Sequence, residues 1–222
     1  MLTGKITTKV KICCILSQEE ADLAIRAGAS AIGLVSNMPS GPGIIPEQKI
    51  KNIAKNIPSN IDTFLLTSLQ SVDAIVKQHK YCQTTTIQFV DYIKPEVYLL
   101  LREELHQINF VQVIHVLNQK SVEEAHKIAP YVDALLLDSG NPNLKIKKLG
   151  GTGQVHNWEL SRQICELVSR PVYLAGGLNP DNVIDALDIV KPYGLDICSG
   201  LRTNGKLDPI KVYTFFSKIN QE

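Results

Sequence analysis

The chain of 222 residues has an ordinary globular composition, with 44% hydrophobic and 20% charged residues. Its 23 basic and 22 acidic side chains leave a formal net charge of +1 at pH 7, which provides no overall attraction to nucleic acid or an acidic membrane surface. The sequence contains no run of about 18 apolar residues, as a transmembrane helix would need, and no apolar signal-peptide segment near its N-terminus. We therefore expect a globular protein without a nucleic-acid or membrane partner.

The five cysteines indicate a reducing environment, which predicts a cytoplasmic protein, because their number is odd and the chain is too large to need disulfide bonds. They include no Cys-x-x-Cys pair, so no zinc site and no other metal site is predicted. Cys82, Cys165 and Cys198 are interpreted as packing residues. Cys14 should face away from Cys13, because neighbouring residues of a strand point in opposite directions.

A short apolar run, a turn and a longer amphipathic segment repeat along the whole chain. The first unit is a strand at 10–13 followed by a helix at 17–27, in which Ser17 and Glu20 have the spacing of a capping box. The other predicted strands are 31–35, 62–66, 86–89, 110–116, 132–137, 172–174 and 195–197. The other predicted helices are 46–57, 72–79, 95–106, 121–128, 158–168, 180–188 and 208–219.

Eight strand–helix units predict an α/β fold, a (β/α)8 TIM barrel formed by a single domain over residues 1–222. The strands are short and rich in Val, Ile and Leu, as expected when both faces are buried. No Pro-rich or Gly-rich linker divides the chain. A doubly wound open sheet is the alternative, since the number of units does not exclude it.

Two long loops, at 36–45 and 139–153, follow predicted strands 2 and 6 at the end of a barrel where active sites form. The alternative for each is a solvated insertion. Glycine-rich turns also follow strands 6, 7 and 8, and glycine lets backbone N–H groups approach an anion. We therefore predict a phosphate site formed by Gly151, Thr152, Gly153, Gly176, Gly177, Ser199 and Gly200.

Candidate acid and base residues stand at the ends of strands 6 and 1. Asp138 ends the run Ala-Leu-Leu-Leu-Asp and is a candidate general acid, with a loop-capping role as the alternative. Cys13 is a candidate base if a neighbour tunes the thiol, with a small core residue as the alternative. Asp91, after strand 4, is a second acid–base candidate or a loop residue. His115, on strand 5, faces the barrel interior or forms a structural hydrogen bond.

Several motifs, in order and spacing, resemble the phosphoribosylanthranilate isomerase family from about residue 11 to residue 216. They are Lys-Ile-Cys at 11–13, Leu-Leu-Asp-Ser at 136–139, Gly-Gly-Thr-Gly at 150–153, Asn-Trp at 157–158, the Gly-Gly segment 174–183, Asp-Ile-Cys-Ser-Gly at 196–200 and Gly-Lys-Leu-Asp at 205–208. The resemblance implies a tryptophan-biosynthesis isomerase that catalyses an Amadori rearrangement of a phosphosugar amine without a cofactor or metal. It also implies that Cys13 is the general base and Asp138 the general acid. We expect a monomer or a homodimer.

The sequence departs from this family on the side of the site that would hold the anthranilate group. Cys14 replaces a glycine, Pro42 stands where the family has an arginine after Ser40, and Asp91 ends a segment where the family has His-Gly. His156 falls where the family has a phenylalanine, and it is interpreted as a capping or exposed residue. Ser40, Asp91 and His115 are weaker candidates for substrate binding.

These departures leave two alternatives beside the isomerase. The first is a divergent paralogue that binds a phosphosugar, with another substrate or without catalysis. The second is a metal-dependent aldolase or epimerase, which the sequence disfavours because it lacks a cluster of residues with ligand spacing. Lys145, Lys147 and Lys148 are candidates to replace the missing arginine.

Overall fold

The computed structural model describes residues 8–140 and 156–220, which form eight barrel strands and eight helices in alternation. The strands are β1 (Lys9–Ile12), β2 (Ala31–Val35), β3 (Asp62–Thr67), β4 (Thr86–Phe89), β5 (Asn109–His115), β6 (Ala134–Asp138), β7 (Val172–Leu174) and β8 (Gly194–Ile197). The helices are α1 (Gln18–Ala27), α2 (Glu47–Lys55), α3 (Val72–Cys82), α4 (Pro95–Glu104), α5 (Gln119–Ile128), α6 (Trp158–Leu167), α7 (Val183–Val190) and α8 (Pro209–Ile219).

The eight strands pair in parallel and in chain order, and β1 pairs with both β2 and β8 to close the barrel. The register of β1 on β8 places Lys11 opposite Asp196 and Ile12 opposite Ile197. This closure confirms the predicted (β/α)8 barrel and excludes the doubly wound open sheet. Parallel strands in register also bring the residues that follow them to one end of the barrel.

Most element boundaries agree with the predictions within a few residues, and the exceptions have local causes. Helix α7 begins at Val183 rather than at 180, because side chains hold the preceding turn: Asn182 Oδ1 accepts from the Asn179 amide, and Asn179 Oδ1 accepts from the Asp181 amide. A short hairpin after β8, formed by β9 (Arg202–Thr203) and β10 (Lys206–Leu207), was not predicted.

The start of α1 differs from the predicted capping box in one partner. Ser17 Oγ accepts a hydrogen bond from the Glu20 amide, as predicted. The Glu20 carboxylate, however, does not return to Ser17. It accepts from the amides of Leu16 and Leu207 and pairs with Arg202, and so ties α1 to the hairpin after β8.

Apolar side chains pack in two regions. The larger lies between the strands and the surrounding helices, and the smaller fills the barrel interior around Phe64, Leu136 and Tyr173. Cys82 is buried in the first region, and Cys165 packs against it, as predicted for packing residues. Across the two described ranges of the chain, no helix has the length and apolar character needed to cross a bilayer.

Candidate active site

A cavity opens at the carboxyl ends of the barrel strands. It has about 670 Å³ of empty space including its open mouth, and residues on or directly after all eight strands line it. Cys13 and Asp138, the predicted base and acid, both line this cavity from the ends of β1 and β6. A concave site of this size, mostly apolar with a few polar groups, is typical of a small-molecule binding site.

Cys13 follows β1 directly and is held by a backbone hydrogen bond from its amide to the Ile197 carbonyl, at 2.9 Å. Its thiol occupies space that a side chain on β2 would otherwise fill. A Cβ atom at Gly33 would lie 2.8 Å from Cys13 Sγ and 3.1 Å from Lys11 Nζ. Gly33 therefore makes room for both groups and brings the thiol and the ammonium close together.

Lys11 and Asp196 form a buried ion pair inside the barrel, with Nζ 2.7 Å from Oδ1. Burial alone would lower the pKa of Lys11, but the Asp196 carboxylate holds that pKa above its usual value. Burial raises the pKa of Asp196, and Lys11 opposes this shift. The pair keeps an ammonium close to Cys13 inside the barrel.

Asp138 ends β6 and is almost completely buried, yet its side chain reaches the cavity. Its Oδ1 accepts hydrogen bonds from the Ser139 amide at 2.7 Å and from the Ser139 hydroxyl at 3.4 Å. The Asp138 carboxyl group thus caps the loop, which was the alternative role predicted for it, and it also faces the cavity. Fixed orientation with access to a ligand is what a general acid needs.

The glycine-rich turns after β7 and β8 lie against each other at the cavity. Gly176 and Gly177 have φ values of 80° and 69°, which glycine adopts without strain, and both line the cavity with Ser199. A side chain at Gly200 would overlap the Leu178 carbonyl oxygen, so glycine permits this close packing of the two turns. The predicted residues Gly151, Thr152 and Gly153 lie outside the described residues.

Cys14 does not face away from Cys13, which corrects the expectation from strand alternation. Strand β1 ends at Ile12, and Cys14 has a φ of 60°, so its thiol turns back towards those of Cys13 and Cys198. Contacts with these two thiols, followed by burial, raise the pKa of Cys14 well above its usual value. Cys198 is more than a packing residue, because it lines the cavity beside Cys13 and Cys14.

Three weaker candidates are near the cavity without being among its lining residues. Ser40 precedes the lining residue Gly41. Asp91 accepts a hydrogen bond from the Tyr92 amide, and its carbonyl accepts one from Gln112. His115 is buried and its Nε2 lies 3.0 Å from the Val90 carbonyl oxygen, which matches the structural alternative given for it.

One polar side chain near the site was not identified from the sequence, and a second differs from its interpretation. Gln88 on β4 lines the cavity, and its buried Oε1 has no hydrogen-bond partner among the described residues. His156, interpreted from the sequence as a capping or exposed residue, is not exposed. Its Nε2 lies 2.7 Å from Ser161 Oγ, and burial lowers its pKa to about 4, against the attraction of Asp138. Only the mixed polar and apolar pattern of β4 could have indicated Gln88.

Within the described ranges, no group of three or more His, Cys, Asp or Glu side chains is arranged to hold a metal ion. The polar groups at the cavity are instead three thiols, two carboxyl groups, an amide, a hydroxyl and glycine turns. This set can transfer protons and bind an anion.

Comparisons with known proteins agree on one family. A family model described as N-(5'-phosphoribosyl)anthranilate isomerase matches residues 10–218. Among curated proteins, N-(5'-phosphoribosyl)anthranilate isomerase 2 of Methanosarcina mazei is 33% identical, over 96% of this chain and 95% of its own length. The N-(5'-phosphoribosyl)anthranilate isomerase of Methanothrix thermoacetophila is 30% identical, over 96% of this chain and 98% of its own length.

Solved structures show the same fold. The phosphoribosylanthranilate isomerase of Thermotoga maritima superposes with a TM-score of 0.83 at 26% identity, covering 97% of this chain and all of that one. A second isomerase structure, in complex with reduced 1-(o-carboxyphenylamino)-1-deoxyribulose 5-phosphate, superposes with a TM-score of 0.80 at 24% identity, covering 97% and 100% of the two chains. At this lower identity the likeness concerns the fold.

Proposed function

Since this chain belongs to the N-(5'-phosphoribosyl)anthranilate isomerase family, we propose that it catalyses the Amadori rearrangement of N-(5'-phosphoribosyl)anthranilate in tryptophan biosynthesis. The observation that carries this proposal is the placement of Cys13 and Asp138 on one cavity, from strands β1 and β6. An intramolecular isomerisation of this kind needs an acid and a base that act on different atoms of one bound sugar.

In the first step, Asp138 donates its proton to the ring oxygen of the ribose. The bond between this oxygen and C1′ breaks, and the nitrogen lone pair forms an iminium with C1′. The hydrogen bonds from Ser139 to Asp138 Oδ1 fix the orientation of the carboxyl group for this transfer. Oriented general acids contribute about 10²–10⁴-fold to the rate of such steps.

In the second step, the Cys13 thiolate removes the proton from C2′. The electron pair of the C–H bond forms a C1′–C2′ double bond, and the iminium nitrogen becomes neutral, which gives an enolamine. Tautomerisation then moves a proton from the C2′ hydroxyl to C1′ and yields the ketone. The buried Lys11 ammonium, paired with Asp196, lies close to this sulfur.

The glycine turns are the proposed phosphate site. Gly176, Gly177 and Ser199 line the cavity, and Gly200 belongs to the adjoining turn. Their backbone N–H groups would bind the phosphate, since glycine allows an anion to approach closely. Gly151, Thr152 and Gly153 stay in this proposal as sequence predictions. The sugar phosphate would then extend from these turns towards Cys13 and Asp138.

The opposite side of the cavity would hold the aromatic ring. Val35, Met38 and Pro42 provide apolar surface there, and the Gln88 amide offers a hydrogen-bonding group for the substrate. Ser40, Asp91 and His115 remain weaker candidates for contacts with the substrate.

The wider proposal concerns the whole chain. A small phosphosugar is its partner, and residues 1–222 form one domain that acts in the cytoplasm as a monomer or a homodimer. The reaction described above needs no organic cofactor and no metal, because each step is a proton transfer.

The proposed function is tested by incubating purified protein with freshly prepared N-(5'-phosphoribosyl)anthranilate and following its fluorescence. We expect rapid loss of the anthranilate-type signal and a product of unchanged mass whose keto group is identified by borohydride reduction. A folded protein whose melting temperature rises with phosphosugars, but which does not convert the substrate, would instead be a binding protein. That result would contradict the proposal.

A further inference from the structure

Three thiols meet where β1 and β8 end. The register pairs Lys11 with Asp196 and Ile12 with Ile197, and the Cys13 amide continues the pairing to the Ile197 carbonyl. Continued by one residue, this register places Cys13 opposite Cys198, and Cys14 is the next residue along the chain. Adjacent strands are about 4.7–4.9 Å apart, within the range of about 4.4–6.8 Å between the Cα atoms of disulfide-bonded cysteines.

The backbone at Cys14 directs its side chain towards this junction. With a φ of 60°, Cys14 occupies a conformation that side chains other than glycine rarely adopt, and its carbonyl accepts a hydrogen bond from Arg202 Nη2. A Cβ atom at Gly43 would lie 3.0 Å from Cys14 Sγ, so the thiol is also packed from the loop after β2. The Cys14 thiol donates to the Pro42 carbonyl oxygen at 3.5 Å, and in this position it also contacts the thiols of Cys13 and Cys198.

Cys198 is the more reactive of the two thiols. It lines the cavity and is only half-buried, so a small reagent can reach it. Contact with the Cys14 thiol and the nearby charge of the Arg202 guanidinium lower the pKa of Cys198, against burial and the charge of Asp196. Accessible thiols beside a cation are the ones that oxidants attack first.

We propose that Cys198 and Cys14 form a reversible oxidation site, at which a peroxide converts the two thiols into a disulfide that closes the junction of β1 and β8 and inactivates the enzyme. Neither thiol has a part in the proton transfers assigned to Cys13 and Asp138. Because both residues line the cavity beside Cys13, a disulfide between them would change the shape of the catalytic cavity.

The chemistry balances with hydrogen peroxide as the oxidant. The Cys198 thiolate attacks one oxygen, the O–O bond breaks, and the leaving hydroxide takes up the proton that Cys198 released on ionisation and becomes water. The Cys14 sulfur then attacks the sulfenic sulfur of Cys198, the S–O bond breaks, and a second water leaves with the Cys14 proton. Two thiols lose two electrons, and one peroxide is reduced to two waters.

The first test measures the bond itself. Purified protein is treated with hydrogen peroxide, its free thiols are blocked, and peptides are analysed by mass spectrometry without reduction. We expect the peptide containing residues 13 and 14 joined to the peptide containing Cys198, with the loss of two hydrogen atoms. The same link should form in Cys13→Ser, which assigns it to Cys14. A link that is absent from Cys13→Ser would overturn the proposal.

The second test measures activity before and after peroxide, each variant against its own reduced form. Wild-type enzyme should lose activity about tenfold or more and recover with dithiothreitol, as reversible thiol oxidation predicts. Cys14→Gly, which suits a φ of 60°, and Cys198→Ser should keep their activity, while the control Cys165→Ser should respond as wild type. Inactivation of all four proteins alike would assign the effect to Cys13 and contradict the proposal.

This loss of activity rests on the proposed isomerase function, but the disulfide does not. If the protein is not the proposed isomerase, the Cys14–Cys198 linked peptides should still be found after peroxide treatment. If the two thiols do not form a disulfide, the enzyme should still convert its substrate after peroxide treatment. The two failures are therefore distinguishable.

Discussion

The Lys11 ammonium lies 2.7 Å from the Asp196 carboxylate inside the barrel, and both side chains are almost completely shielded from solvent. The two residues stand opposite each other in the register that joins β1 to β8. The pair therefore spans the seam at which the barrel closes, directly beneath Cys13. The Nζ atom of Lys11 also lies 5.2 Å from the centre of the Phe64 ring, so the ammonium is enclosed on a second side.

Removing one charge of this pair should destabilise the fold strongly. Asp196→Asn leaves the Lys11 ammonium buried without a counter-charge, which costs about 3–5 kcal/mol in the free energy of unfolding. Urea denaturation measures this loss. The matched control is Glu104→Gln at the exposed pair with Lys80, where about 1 kcal/mol or less is expected. Equal effects of the two substitutions would contradict the role given to the buried pair.

A methyl group at position 33 should displace the base without entering the cavity's phosphate side. In Gly33→Ala the new Cβ would lie 2.8 Å from Cys13 Sγ, so the thiol must move, and misplacement of a reacting group by about 1 Å costs about 10²-fold in rate. Steady-state kinetics should show a lower kcat with little change in KM.

Gly205→Ala is the control for this substitution, since a methyl group there meets no atom within 4 Å. Its φ of 76° predicts some loss of stability, but its kcat should remain near that of the wild type. A Gly33→Ala enzyme with wild-type kcat would show that the position of the Cys13 thiol does not limit the reaction.

His156 should make the protein less stable in acid. Because burial lowers its pKa from 6.5 to about 4, the unfolded chain binds a proton below pH 6.5 while the folded protein does not. Stability therefore falls as pH decreases from about 6.5 to about 4, by on the order of 2–3 kcal/mol for this group. Urea denaturation of His156→Gln across this range should show a correspondingly shallower decline.

The exposed His126 provides the control, since His126→Gln should follow the wild-type pH dependence. If His156→Gln also follows it, the buried imidazole does not contribute to the acid sensitivity.

The barrel and the two central site residues could be predicted from the sequence because both depend on local patterns. Alternating apolar runs and amphipathic segments reveal the eight units, and a residue at the end of a parallel strand must face the catalytic end. This pattern predicts that Cys13 and Asp138 face the same end of the barrel, and both line one cavity there. The exposed interpretation of His156 failed because its burial depends on Ser161 and the Gly176 turn, which the local sequence does not show.

Features that depend on a single backbone angle or on distant partners could not be predicted. Strand alternation gave the wrong direction for Cys14, because this residue has a positive φ that a cysteine does not indicate; the glycine of the resembled family at this position was the available signal. The Lys11–Asp196 pair joins residues far apart in the chain, and it exists only because β8 closes on β1. Cys198 was interpreted as a packing residue for the same reason, since its contacts come from β1 and Arg202.

The most direct test of the account compares turnover of N-(5'-phosphoribosyl)anthranilate by the wild type, Cys13→Ser and Asp138→Asn, with Cys165→Ser and the exposed Asp188→Asn as matched controls. If Cys13 is the base and Asp138 the acid, each substitution should lower kcat by about 10²–10⁴-fold, while the controls stay near the wild type. Circular dichroism would confirm that all five proteins are folded. Retention of wild-type kcat by folded Cys13→Ser or Asp138→Asn would contradict the assigned roles.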